Sequence, residues 1–135
     1  MSQDNNRLIP QAINGFIKNR QVKFSSGNQK KDFCFIEDIV DAILLLINSK
    51  KATNGEIFNV CSGSSISIKK IVYKIKNIIK KGKPKFGKIK IRSSENLNFY
   101  GDNKKIKKNL GWKPKTTLKK GLQKTIKYYL KNEWK

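Results

Sequence analysis

An α/β fold is predicted by three features of this 135-residue sequence. The elements read in the order α, β, β, α, β, α, β, α, α, so helices and strands alternate along the chain. The helix at 37–48 leads through a polar connection into a compact strand at 56–61, which is half of a parallel crossover. That helix is also apolar nearly all round, and such a helix expects cover on several sides. The length suits a single region, and no long linker marks a boundary within 1–135.

Each element has a local reason. Residues 2–7 are polar and read as a loop. Pro10 fits the first turn of a helix, where its missing N–H costs nothing. Ile13, Phe16 and Ile17 give that helix an apolar face, and Gly15 inside it costs about 1 kcal/mol relative to alanine. Gln21-Val22-Lys23-Phe24 alternates as a short strand, and Ser25 to Asn28 is turn chemistry. Asp32 to Ile36 suits a second strand, with Phe33 and Phe35 alternating. Glu37, Asp38 and Asp41 lie where exposed helical N–H groups favour negative charge. Ile39, Val40, Ile43, Leu46 and Ile47 then form one helical face, and Ala42, Leu44 and Leu45 leave little polar surface opposite it.

Lys50 to Gly55 is the polar connection, and Glu56 to Cys61 is the third strand. Ser67 is placed to cap a helix with Ile68, Ile71, Val72, Ile75 and Ile79 on one face. Gly82 is expected to end it, and Pro84 to stop any continuation. Lys88 to Arg92 alternates as a strand. Asp102 or Asn103 caps a short helix with Ile106 and Leu110, closed by Gly111. Thr117 caps the last helix, whose apolar face is Leu118, Leu122, Ile126 and Tyr129.

The formal charge is +22, from 31 Lys and Arg against nine Asp and Glu. A polyanion partner is one reading, as a basic nucleic-acid-binding protein. Only Arg7, Arg20 and Arg92 are arginines, however, and dedicated nucleic-acid surfaces use arginine for bidentate and stacking contacts. Lys, Asn and Ile share A/T-rich codons, so a base-composition bias produces the same profile and is the preferred explanation. With two cysteines and no histidine, a zinc site is not expected. Cys34 and Cys61 read as buried thiols of a reducing compartment. The first residues contain no apolar h-region, and the longest apolar run, 42–47, is far too short to span a bilayer. A cytoplasmic protein is expected.

No G-x-G-x-x-G, P-loop or G-x-S-x-G motif occurs. Tyr100 and Lys104 stand four apart, but Gly101-Asp102-Asn103 between them argues against a shared helix. Lys31 and Arg92 are cations at turn or strand edges, where anions bind. Glu95, three residues after Arg92, can accept from a hydroxyl.

Taken together, several stretches resemble the C-terminal half of an extended short-chain dehydrogenase/reductase, in the nucleotide-sugar epimerase/dehydratase/reductase family. RLIP with its following helix resembles the start of the family's substrate-binding region. GNQKKDFCFIEDIVDAI resembles its G-x-Q-x-R-D-F-x-x-V-x-D-V-V-x-A-I stretch, and EIFNVCSG its last sheet strand. RSSE resembles an arginine followed three residues later by an acid. GDNKKIKKNLGWKPKTTLKKGLQKTIKYY resembles the closing signature that contains L-G-W-x-P. Individually weak, these matches occur in order and at the right spacing.

The resemblance implies a nucleoside diphosphate sugar as ligand and a place in cell-surface polysaccharide biosynthesis. It implies that the strand with Val22 and Phe24 lies against the nucleobase. Lys31 stands where the family has an arginine on the diphosphate, which keeps the charge but removes bidentate geometry. Arg92 matches the second diphosphate arginine, Glu95 the acid on the ribose hydroxyls, and Asp38 and Asp102 structural positions. It also implies NAD(P), bound at a glycine-rich turn beside a helical Tyr-x-x-x-Lys pair that this chain lacks. The expectation is a truncated or split substrate-binding portion, inactive alone. Its 37–61 helix and strand would join a Rossmann sheet carried elsewhere, such as an N-terminal half acting as partner.

Overall fold

The computed structural model describes residues 7–50, 55–91 and 96–132. In chain order these form α1 (Leu8–Ile17), β1 (Gln21–Lys23), β2 (Lys30–Lys31), α2 (Ile36–Ile47) and β3 (Ile66–Ser67), followed by α3 (Ile68–Ile79), β4 (Lys83–Lys85), β5 (Asn98–Phe99), α4 (Lys104–Leu110) and α5 (Leu118–Asn132). The α/β class is as expected, with a small parallel sheet component. The loop expected at 2–7 falls outside the described residues apart from Arg7, as do residues 51–54 of the polar connection. The chain divides into two compact units. Unit 1 comprises 1–29, 67–97 and 119–135, and unit 2 comprises 30–66 and 98–118.

Unit 1 is built on α1 packed against α3. Pro10, Ala12, Ile13 and Phe16 are buried from α1, and Ile71, Val72 and Ile75 from α3. Leu122 and Ile126 of α5 are buried as well. β1 and β4 pair in parallel, with Val22 opposite Pro84. Proline is admitted there because Lys83 N–H donates to the Arg20 carbonyl and the Lys85 carbonyl accepts from Phe24 N–H. Alternate residues of a parallel strand bond to opposite sides, so the donor that Pro84 lacks would point away from β1. β4 was not foreseen from the sequence. Ser67 caps α3 as expected, its Oγ accepting from Lys70 N–H at 3.3 Å. The helix ends earlier than expected, on Lys80 in the left-handed region at φ 61°, rather than on Gly82. Gly82 instead lies so close to α1 that a Cβ would sit 2.7 Å from the Phe16 Cα.

Unit 2 is centred on Ala42, Ile106 and Trp112, with Cys34, Leu46, Phe58, Val60 and Leu110 packed around them. Its organising group is Asp38. This carboxylate is 97% removed from solvent and accepts from Lys115 N–H, Thr116 N–H and the Thr116 hydroxyl, at 3.2, 3.1 and 3.2 Å. The Trp112 indole N–H donates to the Asp38 carbonyl at 3.1 Å. The Asp102 carboxylate accepts from Lys104 N–H at 2.8 Å and so secures the start of α4, which Gly111 closes at φ 69°.

Three expected strands differ. The second, expected over Asp32–Ile36, does not form there: the strand lies just before it at Lys30–Lys31, and pairing ends with its two-residue parallel partner β5. Beyond it Cys34 turns into the unit 2 core. No strand forms at 56–61: Phe58 and Val60 pack inward and Ile57 is 81% exposed, but no neighbouring strand supplies a ladder. Lys88–Ile91 forms no strand either, and Arg92 lies outside the described residues. The helix expected to pack on a sheet carried elsewhere is covered on one side only among the described residues. Only Asp38 and Ala42 of α2 are buried, while Ile36, Ile43 and Ile47 are 62%, 48% and 73% exposed.

Two outcomes follow for stability. A Cβ on Gly15 would run into the Val22 side chain. Helix propensity alone favours Gly15→Ala by about 1 kcal/mol, but the clash reverses the sign. Urea denaturation should show a net loss of about 1–3 kcal/mol, recovered in part by adding Val22→Ala. Cys34 and Cys61 are free, half-buried thiols. Burial, then Asp38 and Asp32, push the Cys34 thiol from 9.0 up to about 11. Burial raises Cys61 as well. Thiolate is the reactive form, so Cys34 should alkylate slowly at neutral pH and accelerate towards pH 11. The folded state holds this proton while the unfolded chain releases it. Stability should therefore fall as pH rises from 9 to 11, and Cys34→Ala should remove that component.

Candidate functional site

In unit 2, three loops converge beside Lys31. Lys31 pairs with Phe99 across the β2–β5 ladder, and its Nζ lies 6.0 Å from the Phe99 ring centroid. One residue on, Asp32 N–H donates to the Phe99 carbonyl at 3.1 Å. The Asp32 carboxylate accepts from Ser62 N–H and Gly63 N–H, both at 2.9 Å. Asn103 then ties the same turn to the start of α4, its Nδ2 donating to the Cys61 carbonyl at 3.0 Å. Two glycines permit this closeness. A Cβ on Gly101 would meet the Cys61 sulfur, and Gly63 adopts φ 75° against the Asn103 side chain.

The arrangement fixes what this turn can bind. Two consecutive N–H groups at a glycine would suit a phosphate, but here Asp32 already occupies them. A second anion is repelled by that carboxylate. The Ser62–Ser64 turn is therefore a structural clasp, and it does not fit the diphosphate of a dinucleotide. Tyr100 and Lys104 are not on one helix: α4 begins at Lys104, whose Nζ is 3.5 Å from Asp102. Neither this turn nor the Tyr100 and Lys104 pair fits a nicotinamide cofactor.

In unit 1, Val22 and Phe24 are buried at 7% and 3% exposure. Phe24 is stacked on Phe86 with centroids 5.6 Å apart and meets Phe16 edge-on at 6.4 Å. Their side chains build the core, so what β1 presents outward is its main chain with Gln21 and Lys23, both exposed. Arg92 and Glu95 lie outside the described residues. Asp32, Phe99 and the Ser62–Gly63 turn were not singled out from sequence as neighbours of Lys31. Phe99 is distant in the chain, and no local pattern announces the pairing. Among the described residues no acidic, cysteine or histidine cluster could hold a metal ion. No helix there is long and apolar enough to cross a membrane.

Comparison with known proteins extends this picture. The family model for GDP-mannose 4,6 dehydratase matches residues 2–125. CDP-abequose synthase of Salmonella typhimurium is 32% identical over 127 residues, covering 90% of this chain and 42% of the relative. Among solved structures, UDP-glucose 4-epimerase of Thermotoga maritima with UDP-glucose aligns over 96% of this chain and 42% of its own, with TM-score 0.85 and 24% identity. The dTDP-glucose 4,6-dehydratase of Bacillus anthracis, in complex with NAD, aligns over 98% and 42%, with TM-score 0.85 and 22% identity. The chain thus spans about 40% of the length of the relatives it matches. It belongs to the GDP-mannose 4,6-dehydratase family, within the extended short-chain dehydrogenase/reductase group of nucleotide-sugar epimerases and dehydratases.

Proposed function

We propose that this chain is the nucleotide-sugar-binding portion of an NAD(P)-dependent nucleotide-sugar epimerase, 4,6-dehydratase or 4-keto reductase. The observation that carries the reading is the family match over 2–125 in a chain covering only 42% of its relative CDP-abequose synthase. In this reading the strand around Val22 and Phe24 meets the nucleobase through its main chain, because both side chains are buried. Lys31 places a point charge on the diphosphate, steadied by the Phe99 ring. Arg92 supplies the bidentate contact and Glu95 accepts from the ribose hydroxyls. NAD(P) would accept a hydride from the sugar, or in its reduced form donate one to it, held by a part of the fold the described residues do not form. The exposed face of α2 and the unpaired 56–61 stretch support a docking role towards that part. The product would serve cell-surface polysaccharide synthesis.

Titration calorimetry with UDP-, dTDP- and CDP-glucose tests the assignment. One of them should bind, and Arg92→Ala should weaken it about 10-fold, as loss of a charge-assisted pair predicts. Glu95→Gln should discriminate ribose from deoxyribose nucleotides less well. NAD(P) should bind poorly, and the pure 135-residue chain should not turn over a nucleotide sugar. Turnover by that chain would overturn the reading. Co-expression with a polypeptide carrying the glycine-rich turn and Tyr-x-x-x-Lys should restore turnover.

A further inference from the structure

The lysine excess is unevenly shared between the units. Unit 1, assembled from three separate segments, carries 21 of the 31 cationic residues and three of the nine acidic ones. Those three are Asp4, Glu95 and Glu133. All three arginines also fall in unit 1. A base-composition bias enriches lysine along a gene. It supplies no reason for the unit assembled from those scattered segments to hold 21 of the cations and only three of the nine carboxylates.

Within unit 1 exposed lysines neighbour an exposed aromatic in the chain. Tyr73 is 43% exposed, and its ring lies 5.7 Å from Phe86. Phe86 is stacked on buried Phe24, so the tyrosine is anchored to the core. Lys69 and Lys70 precede Tyr73 by one helical turn on α3, and Lys74 follows it; all three are exposed. Lys69 Nζ stands 5.6 Å from the Phe86 centroid, and exposed Lys85 and Lys88 flank Phe86 in the chain.

We propose that this face of unit 1 binds single-stranded nucleic acid, with Tyr73 as stacking platform and Lys69, Lys70, Lys74, Lys85 and Lys88 on the phosphates. Lysine gives point charges that follow a backbone and read no base edge, so binding has little sequence preference. An aromatic platform needs an unstacked base, which a single strand offers and a duplex withholds. A unit with 21 cationic residues against three acidic ones adds long-range attraction. The proposal is independent of nucleotide-sugar binding.

Fluorescence anisotropy of the intact chain with a labelled mixed-sequence 12-nucleotide DNA, single-stranded or duplex, at 50–200 mM KCl tests it. The single strand should bind more tightly, and Tyr73→Ala should weaken it about 10-fold, the usual effect of removing one stacked base. The triple variant K69Q/K70Q/K74Q should lower the log–log salt slope by about two. K107Q/K108Q/K113Q in unit 2 should leave the slope unchanged; circular dichroism checks that each variant is folded. Absence of binding at 50 mM salt, equal affinity for duplex, or equal loss in both triple variants would overturn the proposal. So would preferential binding to phosphatidylserine vesicles, or displacement of the DNA by UDP-glucose, which would assign the face to lipid or to the substrate site.

Discussion

Unit 2 depends on one buried carboxylate. Asp38 begins α2, yet its oxygens accept from Lys115 and Thr116, far along the chain. A charged group nearly removed from solvent is tolerated only when its acceptor sites are filled. Here a backbone turn and a threonine hydroxyl fill them, and Trp112 secures the adjoining carbonyl. The ring of Trp112 then closes over Ala42 and Ile106. The order of causes runs from the carboxylate to the turn, and from the turn to the apolar cluster. Asp32 repeats the device on a smaller scale at Ser62 and Gly63.

This economy explains how a small core coexists with so much exposed apolar surface on α2. Specific polar ties hold α2 by its first turn, while its broad face stays bare. The relatives it matches are more than twice the length of this chain.

Helices were legible in the sequence because a 3.6-residue period is a local property. The α3 stripe of Ile71, Val72 and Ile75 marks its own buried face, and Ser67 marks its start. Strands were less legible because a strand is defined by its neighbour. Glu56–Cys61 has the composition of a strand and no ladder, whereas Lys83-Pro84-Lys85 reads as a terminator and yet pairs with β1. The same limit governs the site. Lys31 was recognisable as a cation at a turn edge, but its partner Phe99 is known only once β2 and β5 meet. Val22 and Phe24 were singled out through family likeness, and only packing reveals that their side chains face inward. Gly15 shows the reverse case: a local cost in helix propensity is the signature of a close approach to Val22.

Pro84 has a further effect, on self-association. A short parallel pair has two outer edges, and an open edge is a template for a foreign strand. On β4 the residue whose backbone faces outward is Pro84, which has no N–H to offer, and the exposed lysines Lys83 and Lys85 stand on either side. Growth of this sheet beyond β4 is therefore blocked both sterically and electrostatically. β1 carries no proline, so its outward residues Gln21 and Lys23 keep their N–H groups and the two edges of the pair differ in kind.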